Sequence, residues 1–212
     1  LNAISFGAPQ RRERFIMVGL KKDLNIEYTY PEATFTEGSY RTVRDAISDI
    51  QDIEPGKEVT DSYFTLPPHP EAQGLEKELR GRCLHNHITT ATRETALSRF
   101  KALKAGENFH DLSPELKTTY SNAERTQNTI YMRLKYDEPS GTVVNVRKSM
   151  WIHPELDRAI SIREAARLQT FPDSFIFEGT KDSQYQQVGN AVPPFLAKAV
   201  AESIISILDQ VQ

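Results

Sequence analysis

The chain has 212 residues, of which 26% are charged and 38% hydrophobic, a balance normal for a soluble globular protein. The formal net charge of −3 argues weakly against a nucleic-acid partner, and the single cysteine excludes an internal disulfide. No apolar run approaches the length of a membrane span, so we expect no membrane partner and a cytoplasmic location.

The charges are unevenly distributed along the chain. Basic residues collect at 11–22 and 80–104, whereas acidic residues collect at 45–61 and 107–115. A chain can bind phosphates through one basic face and remain acidic overall, so DNA stays open as a partner. Solvated charge on exposed faces is the alternative for either basic stretch.

The first half of the chain predicts one strand and one helix. Residues 14–20 form a short apolar run that favours a buried strand. Thr42 can cap a helix over 43–50, with Asp45 in its first turn. Prolines and glycines mark 54–74 as a connecting region.

Further elements are predicted in the middle of the chain. Helical spacing indicates a helix over 96–103, with Gly106 as a candidate C-cap. Ser113 precedes a proline and an acidic residue, a combination that favours a second helix start. β-branched residues predict strands over 129–134 and 141–147.

The last third gives the clearest helix signals. Ser161 and Glu164 have the spacing of a capping box, which predicts a helix ending near Gln169. A final helix with one apolar face should open at the prolines 193–194. Strands and helices without regular alternation predict an α+β region attached to part of an α/β sheet.

Three segments carry residues suited to chemistry. Residues 6–14 read Phe-Gly-Ala-Pro-Gln-Arg-Arg-Glu-Arg, and arginines at alternate positions can hold a phosphate, carboxylate or base edge. Residues 151–175 are rich in alanine and arginine, and residues 184–194 join Gly, Asn and two prolines to a helix start, where anions bind. Taken singly, the three segments could equally be a salt-bridged edge, a scaffold and a helix start capped near Asn190.

Together, these segments resemble a known family. Phe-Gly-x-Pro-Gln-x-Arg-x-Arg resembles motif VIII of DNA cytosine-5 methyltransferases. Arg-Glu-Ala-Ala-Arg-Leu-Gln-x-Phe-Pro-Asp-x-Phe resembles their motif IX, and Gln-x-Gly-Asn-Ala-Val-Pro resembles their motif X. The motifs stand in the family's order. The resemblance is close over 1–24 and about 137–205, whereas 25–136 fits the variable target-recognition region loosely.

The resemblance implies an α/β fold. It comprises part of the Rossmann-like sheet of a methyltransferase dependent on S-adenosylmethionine, plus a smaller mixed α+β target-recognition domain. Residues 1–24 would belong to the catalytic domain and 25–160 to the recognition domain. Residues 161–212 would carry motifs IX and X and return to the catalytic domain.

The family reaction assigns roles to several residues. A cysteine attacks C6 of a cytosine flipped out of duplex DNA, and S-adenosylmethionine methylates C5. By resemblance, Arg14 would contact O2 of the flipped cytosine, Arg12 would support the catalytic loop or the DNA backbone, and Gln10 would assist. Arg163 and Glu164 would brace the junction with the recognition domain.

Cofactor and DNA contacts follow from the same resemblance. Asn190, Ala191 and Val192 would line a partly present pocket for S-adenosylmethionine. Thr142 would hold a phosphate beside the target base, a contact that positions without reading sequence. Further DNA contacts are predicted for Arg147, Arg93 and His87.

The family's nucleophile is absent from the sequence. There is no Pro-Cys loop, no Glu-Asn-Val motif and no glycine-rich cofactor motif, and Cys83 follows an arginine. We therefore expect no methyl transfer by this chain alone. A missing N-terminal half or a partner subunit would supply the cysteine, and a start at Leu1 inside a matching motif favours an excised piece of a bacterial restriction-modification enzyme over a naturally split one.

Three alternatives remain open. The weakest is a degenerate, inactive relative kept for interaction with a partner. The chain could be a stand-alone, sequence-specific DNA-binding module without catalysis, which would bind duplex by itself. Cys83, His85 and His87 alternate and could face zinc together, but three ligands within five residues and no adjacent fourth argue against it. A polar recognition segment is favoured there, and no metal is expected.

Overall fold

The computed structural model describes residues 1–24, 26–59, 63–67 and 74–209. Within these ranges helices predominate, joined by short 3₁₀ turns and irregular segments. The helices are α1 (Val43–Ile47), α2 (Leu75–Leu79), α3 (Glu94–Ala102), α4 (Pro114–Lys117), α5 (Val146–Ser149), α6 (Ile162–Leu168), α7 (Lys181–Asn190) and α8 (Pro194–Leu208). Two short strands, β1 (Tyr63–Thr65) and β2 (Cys83–His85), pair antiparallel, with Phe64 opposite Leu84.

The predicted helix starts are confirmed by their caps. The Asp45 carboxylate accepts the backbone N–H of Thr42 at 2.7 Å, and α1 follows, with a 3₁₀ turn extending it to residue 50. At α6 the Ser161 hydroxyl oxygen accepts the N–H of Glu164 at 3.0 Å, while the Glu164 carboxylate accepts the N–H of Ser161 at 2.6 Å. Each pair satisfies backbone donors that a helix start leaves free. The predicted start after Ser113 and the final proline-opened helix are also confirmed.

The buried strand predicted over 14–20 is wrong. Its residues alternate in exposure, and Phe15 and Met17 are 87% and 78% exposed. Across the described ranges no strand pairs with this segment; an isolated bridge joins Asn2 to Glu13 just before it. The apolar run therefore has the side-chain alternation of a strand without the neighbouring strands that would bury it.

Three further expectations from the middle of the chain are also wrong. Tyr131 has a φ of 54°, in the left-handed region, so the segment 129–134 forms turns with a single bridge at Arg133. The segment 141–147 is no strand, because the Asn145 side chain accepts the N–H of Lys148 and α5 begins. The predicted C-cap Gly106 instead lies in a turn with a φ of 87°, beyond the end of α3.

Three apolar cores hold the described residues together. The largest packs α1, α2, β2, α6 and α7, and it draws residues from both sides of the predicted boundary at 160, which stays a prediction. A second core surrounds Phe100, Phe109 and Tyr131. The third packs Ala3 and Phe6, close to the first residue, against Leu196 and Val200 of α8. Burial of these side chains is the main stabilising contribution.

In the described part of the chain, no single helix is long and apolar enough to cross a membrane. By length and composition alone, α7 and α8 pass together as a pair bent by 43°.

Candidate functional site

Gln10 joins the first candidate segment to the second and to Val143. Its side chain is fully buried, and its Nε2 donates to the carbonyl of Leu168 and to Oε1 of Gln169, both at 3.0 Å. Its own Oε1 accepts the N–H of Val143 at 3.1 Å. One amide therefore connects the loop at 6–14 with the end of α6 and with the segment before α5.

Arg12 makes the second connection at the same place. The residue is 1% exposed, and its guanidinium donates to the carbonyls of Val143 (2.5 Å), Gly189 (2.7 Å) and Ala191 (2.8 Å). A planar guanidinium suits several acceptors at fixed angles. Arg12 thus ties the segment at 142–143 to the end of α7. From this buried position Arg12 contacts protein carbonyls and cannot reach the DNA backbone. Of the two roles expected for it, contact with the DNA backbone therefore does not fit the structure.

Arg14 has a different environment from Arg12. It is half-buried, and its Nη1 donates to the carbonyl of its neighbour Glu13 at 2.8 Å. Its backbone is fixed, because its N–H donates to the carbonyl of Leu1 and its carbonyl accepts a hydrogen bond from the backbone nitrogen of Leu1. The backbone position is therefore set while most of the guanidinium donors remain available to a ligand.

Thr142 lies beside these arginines. Its hydroxyl is exposed and donates to the carbonyl of Arg11 at 2.7 Å. Val143, the next residue, is held by both Gln10 and Arg12. Thr142, the predicted phosphate contact, and Arg14, the predicted cytosine contact, are thus both held at one short stretch of backbone, residues 11–14.

The three predicted cofactor residues lie where α7 ends and α8 begins. Asn190 is exposed at the end of α7, and its side-chain oxygen accepts Nε2 of Gln186 at 2.7 Å. Val192 is 39% exposed. Asn190 therefore does not cap α8; the N-cap is Pro193, and the N–H of Phe195 donates to the hydroxyl of Thr170. One of the backbone donors expected to be free for an anion is therefore occupied.

Gly189 explains how α7 reaches this position. A Cβ on Gly189 would lie 2.7 Å from the carbonyl carbon of Val144, so only glycine permits this close approach of the two backbones. Sequence reasoning gave Gly189 no role of its own. A glycine near the end of an amphipathic stretch was the available signal.

The junction residues of α6 are buried in separate networks. Arg163 donates to the carbonyls of His85 (2.7 Å) and Pro172 (2.8 Å), which ties α6 to β2. Burial lowers the pKa of Arg163 to about 10, although Asp173 opposes this. Glu164 receives two hydrogen bonds from Arg158, at 2.6 and 2.8 Å. Burial alone would raise the pKa of Glu164, but the Arg158 guanidinium holds it well below its usual range.

Two further side chains, missed by sequence reasoning, complete this network. His153 is fully buried, its Nδ1 accepts the N–H of Leu156 at 3.1 Å, and burial lowers its pKa to about 4. Arg158 holds Glu164, as described above. Neither stands in a pattern that marks a buried ionic network in the sequence.

His87 is wrongly predicted as a DNA contact. It is fully buried, with Nδ1 hydrogen-bonded to the Ser161 hydroxyl and Nε2 to the Ile53 carbonyl, both at 3.0 Å. Burial lowers its pKa, and its role in this position is to join β2 to α6. Within the described ranges, no group of three or more His, Cys, Asp or Glu side chains is placed to hold a metal.

The other two predicted DNA contacts are exposed. Arg93 immediately precedes α3, and its guanidinium has no hydrogen-bond or ionic partner among the described residues. Arg147, on α5, pairs with Asp182 at 2.7 Å, with both side chains open to solvent. A pair this exposed contributes little and can be exchanged for a phosphate.

Comparisons with known proteins agree with the motifs. The sequence model described as C-5 cytosine-specific DNA methylase matches residues 1–206. The chain is 36% identical over 223 residues to the type II methyltransferase M.DdeI of Desulfomicrobium norvegicum, covering 96% of this chain and 52% of that protein. It is 35% identical over 207 residues to M1.HphI of Haemophilus parahaemolyticus, covering 98% of this chain and 47% of that protein. The chain thus spans about half the length of these curated relatives.

The fold also matches a solved structure. A crystal structure described as a DNA modification methyltransferase encoded within a prophage of Escherichia coli superposes with a TM-score of 0.77. The superposition covers 99% of this chain and 59% of that chain, at 24% sequence identity, a similarity that concerns the fold alone. The family match over nearly the whole length carries the assignment: the chain belongs to the C-5 cytosine-specific DNA methylase family.

Proposed function

We propose that this chain is the DNA-recognising part of a type II DNA (cytosine-5) methyltransferase and is inactive without a polypeptide that supplies the cysteine loop. The observation that carries the proposal is that Arg12 is buried, whereas Arg14 in the same loop has guanidinium donors available to a ligand. Arg12 holds its own motif VIII segment to Val143 and to the motif X segment through carbonyls 2.5–2.8 Å away. Arg14, two residues on, keeps donors free for a substrate.

In this proposal Arg14 contacts O2 of the flipped cytosine. The guanidinium is always charged and offers several N–H donors, so it stabilises negative charge that develops on the ring oxygen when C6 is attacked. Thr142 donates to a phosphate next to the flipped nucleotide, after exchanging its bond to the Arg11 carbonyl. Arg12 and Gln10 are positioning residues that hold this edge in place.

The family uses S-adenosylmethionine, which supplies the methyl group. The exposed Asn190 amide and the part-exposed Val192 fit one wall of such a site, and the Ala191 carbonyl is held by Arg12. The remaining walls would come from the second polypeptide. We therefore expect the assembled enzyme to bind S-adenosylmethionine and this chain alone to bind it weakly or not at all.

The proposal also gives the segment 14–20 a partner. Phe15 and Met17 are large apolar side chains that lie almost fully exposed, which is typical of a surface that contacts another polypeptide. The alternating exposure of this segment is the pattern of a strand. In the assembled enzyme this segment would join the Rossmann-like sheet, and 1–24 and 161–212 would complete the catalytic domain around the recognition domain at 25–160. A restriction-modification role is the setting that the named type II relatives support, and a cytoplasmic location belongs to the same proposal.

The test is methyl transfer from tritiated S-adenosylmethionine to duplex DNA. The chain, a family N-terminal half that carries the Pro-Cys loop, and their mixture are assayed separately. We expect incorporation by the mixture alone, and we expect Arg14→Ala to abolish it. A stand-alone DNA-binding module would bind duplex with sequence preference yet never restore transfer.

A further inference from the structure

A pocket of about 400 Å³ lies at the start of α3, apart from the motif site. Its floor is formed by the buried side chains of Arg99 and Tyr131. Its rim carries Arg93, Thr95 and Thr119, all exposed. The pocket is therefore lined by two guanidinium groups and by hydroxyls.

The charge of Arg99 is buried without a counter-ion. Arg99 is 4% exposed and donates to three neutral oxygens, on Leu116 (2.7 Å), Tyr131 (2.9 Å) and Thr119 (2.5 Å). No carboxylate in the described ranges lies within 4 Å of it. Buried charges are ordinarily paired, because removing a cation from water costs several kcal/mol.

Other buried arginines of this chain follow that rule. Arg133 pairs with Asp157 at 2.6 Å, and Arg167 pairs with Asp173 at 2.6 Å. Arg12 is an exception, but its carbonyl ligands close it off from solvent. Arg99 is the buried arginine that both lacks a described carboxylate and faces a pocket.

The donors of Arg99 are only partly used. A guanidinium has five N–H donors, and three hydrogen bonds occupy three of them. The Thr95 hydroxyl and the unpartnered Arg93 guanidinium add donors at the rim. A tetrahedral oxyanion with several acceptor oxygens suits this set better than a single carbonyl.

The walls of the pocket are held in an unusual backbone conformation. Tyr131 and Met150 both line it, and their φ angles are 54° and 53°. Such left-handed residues other than glycine cost free energy and cluster at ligand sites. Met150 ends α5 in this conformation, which accounts for its φ, so of the two residues Tyr131 carries the support for a binding role.

We propose that the Arg99 pocket binds a backbone phosphate of duplex DNA, an assignment that rests on the proposed function. Met150, which lines the pocket, directly follows α5, whose Arg147 and Lys148 are exposed. Arg93 would make the outer contact and Arg99 the inner one. Through this phosphate the pocket would fix the position of the recognition region on DNA, independently of base sequence.

The test is DNA binding by the 212-residue chain, measured by fluorescence anisotropy at several salt concentrations. We expect Arg93→Gln to raise Kd about tenfold on cognate and unrelated duplexes alike, and to lower the salt slope by about one. Thr95→Val should act in the same direction, about threefold, because it removes one neutral hydrogen bond. Arg125→Gln, an exposed arginine outside the pocket, is the matched control and should leave both quantities unchanged.

Duplexes with single uncharged methylphosphonate linkages locate the phosphate. One such linkage should weaken the wild type about tenfold and leave Arg93→Gln unaffected. The pocket assignment would be overturned if Arg93→Gln and Arg125→Gln lost equal DNA affinity. It would also be overturned if no methylphosphonate linkage weakened the wild type while sparing Arg93→Gln. Either result would leave the proposed function standing. Absence of duplex binding by the chain even at low salt would overturn the proposed function as well.

A free-anion site is distinguished by titration of inorganic phosphate at constant ionic strength, with the melting temperature as readout. Inorganic phosphate could stabilise the wild type but not Arg99→Lys, while the Arg93 and Thr95 variants bind DNA as the wild type does. That combination would show that the ligand of the pocket is a small phosphate and not DNA. Thermal melting also shows whether Arg99→Lys folds, and the rim variants test the proposal if it does not.

Discussion

Replacing Arg12 by methionine should destabilise the chain strongly. The substitution removes three hydrogen bonds to the carbonyls of Val143, Gly189 and Ala191 and leaves these acceptors unsatisfied in a buried place. Hydrogen bonds to charged groups contribute roughly 1.5–3 kcal/mol each, but loss of the charge also relieves its desolvation. The expected decrease in the free energy of unfolding is about 3–5 kcal/mol, a large share of a typical domain's stability.

Equilibrium unfolding in urea measures this decrease. Trp151 is the single tryptophan, is 1% exposed, and reports loss of the core by its fluorescence. Arg14→Met is the matched control, since its guanidinium bonds only to an adjacent carbonyl, and it should stay within about 0.5 kcal/mol of wild type. A decrease below about 1 kcal/mol for Arg12→Met, or equal effects of both variants, would refute a central connecting role for Arg12.

Three further outcomes are expected from the buried networks. Glu164→Gln should lower the free energy of unfolding by about 3–5 kcal/mol at pH 7, because it leaves Arg158 without its buried partner; urea unfolding measures this. The free energy of unfolding should fall by roughly 3 kcal/mol between pH 6.5 and pH 4 because of His153. In this range the His153 side chain binds a proton in the unfolded chain but not in the folded one. Urea unfolding at successive pH values measures the decrease. Gly189→Ala should lower the melting temperature, because its Cβ would meet the Val144 backbone at 2.7 Å.

Controls for these outcomes come from the same chain. Glu138→Gln removes an exposed carboxylate and should cost less than about 1 kcal/mol. His153→Asn keeps an acceptor near Nδ1 and should flatten the acid slope, leaving the part due to His87. Gly141→Ala meets no atom within 4 Å and should leave the melting temperature nearly unchanged. A wild-type acid slope in His153→Asn, or equal effects of the two alanine variants, would contradict these assignments.

The helices were predictable where a local signal fixes them. The capping box at Ser161 and Glu164 and the helix opened at Pro194 depend on neighbours in sequence. The segment 14–20 failed for the opposite reason, since burial of Phe15 depends on strands that the described residues do not provide.

The candidate site was predictable in its members but not in their division of roles. The motif pattern placed Arg12 and Arg14 together, yet it could not show that one is buried against carbonyls and the other is available. His87 looked like a base-reading residue because its partners, Ser161 and Ile53, are distant in sequence. Long-range contacts of this kind leave no periodic signal.

Reconstituted methyl transfer is the most direct test of whether this chain needs a second polypeptide for catalysis. The partner is the N-terminal half of a family member, shown beforehand to be active with its own C-terminal half. We expect no tritium incorporation into duplex DNA by either polypeptide alone. The mixture should incorporate tritium, and Arg14→Ala should abolish this at unchanged stability. Incorporation by this chain alone, or none by the mixture on a pool of duplexes of random sequence, would contradict this expectation.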